Sequence, residues 1–169
     1  MSEKKFNVLF LCTGNSARSI MAEALLQRWG LRRFNSYSAG SIPKGKVNPF
    51  AIELLKKNNF KTASFRSKSW NEFTGDNAPI LDFVFTVCGR AANETCPIWN
   101  GQVLSAHWGI DDPDQPGLND NEQRILFQKA YQILSHRLKL FTRLSLDNSE
   151  RSILQKELEK IGTLYPEET

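Results

Sequence analysis

The stretch FNVLFLCTGNSARSIMAEALLQRW, residues 6–29, constrains the fold most tightly. Val8, Leu9, Phe10 and Leu11 form a short, continuously apolar run, the pattern of a parallel strand buried on both faces. The run ends at Cys12. Five small residues, Thr13, Gly14, Asn15, Ser16 and Ala17, then lead to Arg18 and an amphipathic helix beginning near Ser19. Such a loop lets backbone N–H groups turn inward around a tetrahedral oxyanion, and the helix adds its positive N-terminal end. Arg18 is expected to grip two of the oxyanion's oxygens, and the same positive field to favour a thiolate at Cys12. Cys12 is therefore the predicted nucleophile, ionised near neutral pH, with Ser19 expected to donate a hydrogen bond to its sulfur. The plainer reading, a strand-end cysteine near a surface arginine, does not explain why strand, small loop, arginine and helix occur in this order.

Further along, helical and extended patterns alternate. The first helix carries Ile20, Met21, Ala24, Leu25 and Trp29 inward and ends at Gly30. Residues 34–40 predict a second strand with Ser38 near its carboxyl end. Asn48 as cap and Pro49 as first residue open a helix that packs through Phe50, Ile52, Leu54 and Leu55. A short helix follows, with Phe65, Trp70 and Phe73 inward. Residues 80–88 predict a third strand ending on Cys88, residues 89–102 a loop or weak helix, and residues 103–110 a fourth strand. Asn119 or Asp120 caps a long helix reaching residue 144, with Ile125, Leu126, Tyr131, Ile133, Leu134, Leu138 and Phe141 on its apolar side. An additional helix at about 147–162 is expected to pack on the outside through Ile153, Leu154, Leu158 and Ile161. This alternation predicts a three-layer α/β fold, a four-stranded parallel sheet in the flavodoxin-like order 2-1-3-4 with helices on both faces. Ligands of such sheets bind beyond the carboxyl ends at the switch between strands 1 and 3, and those ends carry Cys12 and Cys88.

A chain of 169 residues with 40% hydrophobic content suits a single domain over 1–169. Lys and Arg number 22 against 18 Asp and Glu, a balance that suits small anions, while no dense basic stripe with interleaved aromatics predicts a nucleic-acid partner. No apolar run is long enough to span a bilayer and no export signal is read, so a cytoplasmic monomer without membrane attachment is expected. Three cysteines in such a chain point to working thiols in a reducing compartment.

Two of these thiols form a second constellation. Cys88 and Cys96 flank GRAANET, a small polar segment able to bend their Cα atoms to disulfide distance, about 5.5 Å. Zinc is the weaker rival, since no further cysteine pair or histidine cluster accompanies them. In HWGIDDPD, Asp112 precedes Pro113 and is the candidate general acid for a leaving oxygen, with Asp111 second. His107 is expected to make a structural hydrogen bond, and His136 to be solvated.

Cys12 and Arg18 with five residues between them, followed by SIMAEALL, resemble the low-molecular-weight protein tyrosine phosphatase superfamily, and the form CTGNSARSIMAE resembles its arsenate reductase branch. The resemblance covers residues 6–30 and 81–117; it implies the flavodoxin-like fold and places Asp112 as the general acid. TVCGRAANETCPIW is similar to the redox segment of thioredoxin-linked arsenate reductases, although seven residues separate Cys88 from Cys96 where the best-known members have six. What the resemblance implies is a thiol relay: Cys12 attacks arsenate, Cys88 attacks Cys12 and releases arsenite, and Cys96 attacks Cys88. Thioredoxin is the implied reductant, with glutaredoxin or another thiol as alternatives, phosphate or sulfate as competing oxyanions, and no metal or organic cofactor. Two other readings use the same residues. One is a phosphatase with a phospho-cysteine at Cys12, although Asp114 and Gln115 stand where tyrosine phosphatases place an aromatic residue; the other is an oxyanion-binding or redox-sensing module without turnover. Some relatives hold potassium behind the loop. Asn15, Glu23 and Ser38 match part of that site, but Ser69 stands where an Asp is expected and Lys68 nearby offers positive charge, so no potassium site is expected.

Overall fold

Four runs rich in aromatic, aliphatic and small residues become strands because each supplies side chains for two packed faces. In the computed structural model, which describes residues 4–89, 94, 96–147 and 150–166, they are β1 (Phe6–Leu11), β2 (Phe34–Ala39), β3 (Phe83–Thr86) and β4 (Leu104–His107). All pair in parallel, in the order β2-β1-β3-β4. The expected sheet is thus the observed one. Its register decides where the site lies: Leu11 pairs with both Ala39 and Thr86, and Thr86 with His107, so the four strands end level. Cys12, Gly40, Cys88 and Trp108 therefore lie just past one edge of the sheet.

Among the described residues, the layers on the two faces are unequal. Helices α1 (Arg18–Trp29), α3 (Asp120–Phe141) and α4 (Arg151–Ile161) share one core with Val8, Phe10, Phe83, Phe85 and Trp108. Helix α2 (Pro49–Lys57) packs against α1 through Leu55, which joins Ile20 and Ala24. On the opposite face, Leu9, Leu11 and Val84 meet Phe73 from a single 3-10 turn (Trp70–Phe73) and the aromatic rings of Tyr37, Trp70 and Trp99. As read from the sequence, Asn48 caps α2 by accepting from the Phe50 N–H, and Asn119 caps α3 in a capping box with Glu122.

Helix α4 is more than an outer cover. The buried Trp108 ring stacks on Phe85 with centroids 3.9 Å apart and donates its indole N–H to the Leu158 carbonyl at 2.8 Å. The turn after α4 comes so close that a Cβ on Gly162 would lie 2.7 Å from the Trp108 ring, a contact only glycine avoids.

Three apolar assignments differ from expectation. Trp29 is 43% exposed, its ring covered by the Lys139 ammonium 4.7 Å from the centroid, which satisfies it at the surface. Ile125 is 67% exposed; α3 is rotated so that Gln123, Phe127 and Ala130 face inward. Ile153 is 54% exposed, because Leu154, Leu158 and Ile161 complete the stripe of α4 without it. Strands β3 and β4 are shorter than the apolar runs that contain them. Of the segment expected as loop or weak helix, residues 90–93 and 95 lie outside the described residues.

Candidate active site

Residues 12–18 turn from β1 into α1, and the neighbouring segment fixes their shape. The carbonyls of Thr13, Gly14 and Ser16 accept from the N–H groups of Ile42, Lys44 and Asn48 at 3.0, 2.9 and 2.9 Å. In a trans peptide the C=O and the following N–H point opposite ways, so the N–H groups of Gly14, Asn15 and Ala17 turn toward the concave side. N–H groups so directed are what an anion cradle requires. It needs close backbone contact with the end of β2, where a Cβ on Gly40 would lie 2.4 Å from the Thr13 carbonyl oxygen.

Asn15 supplies the back of the cradle. Its φ of 44° is left-handed, a conformation asparagine tolerates better than most residues, and its side chain is fully spent. The amide donates to Ser19 Oγ at 2.8 Å and Ser38 Oγ at 3.0 Å, and its oxygen accepts from the Lys68 N–H at 2.9 Å. Ser19 thus serves Asn15, and the hydrogen bond expected from Ser19 to Cys12 is not formed. Deeper still, Lys68 Nζ lies 3.5 Å from both Glu23 Oε1 and Ser38 Oγ and donates to the Arg66 carbonyl at 3.0 Å. Ser38 in turn donates to Glu23 at 2.8 Å. Burial pushes the Glu23 carboxyl up and the Lys68 ammonium down, and each opposes the other's shift by its opposite charge. The positive charge expected from Lys68 sits behind the loop, among the side chains named for a potassium site.

The front of the cradle is charged and more open. Arg18 donates to the Ile110 carbonyl at 2.9 Å and lies 3.5 Å from Asp112 Oδ2, so both predicted residues meet at the mouth. The turn carrying Asp112 is braced locally: Asp112 Oδ1 accepts from the Asp114 N–H at 2.9 Å, its carbonyl accepts from Gln115 at 2.6 Å, and Gln123 donates to the Pro113 carbonyl. Asp111 is exposed. A second ion pair, Lys44 to Asp114 at 3.6 Å, crosses the same mouth, with the Lys44 methylenes lying over Gly14. Sequence reading missed Lys44, whose only signal was its place in a loop after the second strand. His107 makes the expected structural hydrogen bond, Nδ1 to Thr86 Oγ1 at 2.8 Å, while His136 is half-buried where full solvation was expected.

Cys12 and Cys88 come together at the adjoining ends of β1 and β3. Both are buried thiols, Cys88 with 1% of its surface exposed. Cys96 is exposed. The hydrogen bond with Cys88 and then burial push the Cys12 thiol up, against the Arg18 charge and the Gly14 N–H, which pull it down. The expectation of an ionised Cys12 counted the arginine and the loop but not the second sulfur. Two adjacent thiols resist carrying two negative charges, so ionisation of one makes the other hold its proton more tightly. Thr13 Oγ1 lies 3.8 Å from Cys88 Sγ and donates to Glu94 Oε1 at 2.6 Å. Glu94 was not singled out from the sequence, although an acid two residues before Cys96 was the available signal. Among the described residues, no group of three or more His, Cys, Asp or Glu side chains gathers to hold a metal, and no helix is long and apolar enough to cross a membrane.

Residues 7–157 match the low molecular weight phosphotyrosine protein phosphatase family. The chain is 35% identical over 134 residues to the arsenate reductase of Bacillus subtilis, covering 79% of this chain and 93% of that protein. It is likewise 35% identical over 141 residues to the arsenate reductase of Bacillus licheniformis, covering 83% and 96%. The fold superposes on the thioredoxin-dependent arsenate reductase of Corynebacterium glutamicum with a TM-score of 0.60 at 22% identity, covering 82% of this chain and 61% of that one. With its cradle, paired thiols and acid turn in that setting, the chain belongs to the low molecular weight phosphotyrosine protein phosphatase family.

Proposed function

We propose that the chain is an arsenate reductase that works by a thiol relay and is recharged by an external thiol reductant. The observation that carries this reading is the buried Cys88 thiol, brought beside Cys12 at the adjoining ends of β1 and β3. Hydrolysis of a phosphate ester needs one sulfur; a second at this place suits chemistry that ends in a disulfide. The curated relatives at 35% identity carry the same activity in their names.

Arsenate seats on the inward N–H groups of Gly14, Asn15 and Ala17, with Arg18 gripping its oxygens. Cys12 passes its proton to a bound arsenate oxygen and attacks arsenic, and Asp112 at the mouth carries that proton to the departing oxygen, which leaves as water. Cys88 then attacks the Cys12 sulfur. The sulfur–arsenic bond breaks and its electron pair stays on arsenic, so As(V) leaves as arsenite and two thiols become one disulfide. Cys96 attacks Cys88, leaving a Cys88–Cys96 disulfide. Burial supports this order, because a protein reductant can reach the exposed Cys96 but not Cys12 or Cys88. Thioredoxin is the proposed reductant, with glutaredoxin the alternative, and no metal or organic cofactor takes part.

The test is a paired assay on wild type and Cys88→Ser: arsenite production with thioredoxin, thioredoxin reductase and NADPH, beside p-nitrophenyl phosphate hydrolysis. The relay requires wild type to make arsenite and the variant to lose at least 100-fold of that activity. Ester hydrolysis without arsenite from wild type, under any thiol reductant, makes the protein a phosphatase and overturns the reading.

A further inference from the structure

Resting on the reductase reading, we propose that Glu94 is the proton acceptor for Cys88, reached through the hydroxyl of Thr13. A threonine hydroxyl has one proton, and a carboxylate can only accept. Since Thr13 donates that proton to Glu94 at 2.6 Å, its oxygen is left to accept, and the group facing it 3.8 Å away is the Cys88 thiol. Sulfur, hydroxyl and carboxylate thus form a directed chain, from the end of β3 across the oxyanion loop to the segment carrying Cys96.

The chain acts at the second step of the relay. As Cys88 attacks, its thiol proton passes to Thr13 Oγ1 and the Thr13 proton passes to Glu94. The Cys88 electron pair forms the bond to Cys12, and the pair of the breaking sulfur–arsenic bond reduces arsenic. Charge balances, because Glu94 gains the proton that Cys88 loses. The relay also orders the third step. Partial burial, and after it the Glu94 charge, hold the Cys96 thiol up, so neutralising Glu94 removes the smaller of the two and eases the ionisation of Cys96 once Cys88 has been used. Among the described residues, Cys88 meets Cys12, itself under the Arg18 charge, and Glu94 meets Thr13 and Cys96.

The experiment is single-turnover arsenite release by wild type, Glu94→Gln, Thr13→Val and the double variant, from pH 6.5 to 9.5. Without its acceptor Cys88 must lose its proton to solvent, a route that quickens as hydroxide becomes more abundant. Glu94→Gln should therefore release arsenite about 10- to 100-fold more slowly at pH 7, the defect shrinking as the pH rises to 9.5. Thr13→Val should add little to Glu94→Gln in the double variant, as links of one chain do. Wild-type release with an equal rate in Glu94→Gln overturns the relay alone, as does a defect that stays constant to pH 9.5, which marks Glu94 as a brace. No arsenite from wild type overturns the reductase reading and the relay with it.

Discussion

The two sides of the oxyanion loop are built on opposite principles. Behind it, Asn15, Ser19, Ser38, Glu23 and Lys68 are buried and bonded to one another. In front, Arg18, Asp112, Lys44 and Asp114 form two looser ion pairs, with all but Arg18 more than 40% exposed. The back holds the backbone in a shape it would not adopt alone, a left-handed Asn15 above a buried charge pair. The front must exchange its pairs for substrate, so its contacts are weak. Substitutions behind the loop should therefore appear as lost stability, and those in front as altered turnover.

The largest effect expected from breaking this contrast is at Lys68. Removing one partner of a buried ion pair leaves the other charge uncompensated, at a cost of about 3–5 kcal/mol. Lys68→Met should lose that much in urea unfolding, and Glu23→Gln in the same chain should restore a large part. The pH dependence has a definite sign. Burial already raises the folded Glu23 carboxyl, and losing Lys68 raises it further, so folding favours the protonated form. The variant's deficit should be small at pH 5 and grow as pH rises through the raised value. A deficit that does not change with pH would mean that packing, not charge, is what Lys68 supplies.

The smallest effect should be in front. Lys44 and Asp114 are 58% and 42% exposed at 3.6 Å, a geometry worth less than about 1 kcal/mol. Asp114→Ala should leave the unfolding midpoint unmoved and change the apparent affinity for arsenate by less than about threefold. A large loss of stability there would erase the distinction between the two sides.

The sequence was most legible where one local pattern demands one local structure. The apolar run before Cys12, the small loop and the Asn48 and Asn119 caps each carry their own geometry in neighbouring residues, and each took the predicted form. Harder to read were features that depend on residues distant in the chain. Trp29 lies outside the core because Lys139, 110 positions away, covers it. The state of Cys12 depends on Cys88, which the register of β1 with β3 places beside it. Topology indicated that both sulfurs border one crevice, but not that their contact would outweigh Arg18. Ser19 was expected to donate to the Cys12 sulfur, whereas its hydroxyl accepts from Asn15, whose amide also reaches Ser38 and the Lys68 N–H.

The relay itself is tested most directly by mapping thiols after one turnover. Fully reduced protein is mixed with arsenate in the absence of any reductant, quenched in acid, alkylated and analysed by peptide mass spectrometry, with arsenite counted in parallel. The account predicts one arsenite per chain, Cys12 recovered as an alkylated thiol and a disulfide between Cys88 and Cys96. Arsenite formed while Cys88 is recovered as an alkylated thiol, or no arsenite with all three cysteines alkylated, would contradict it.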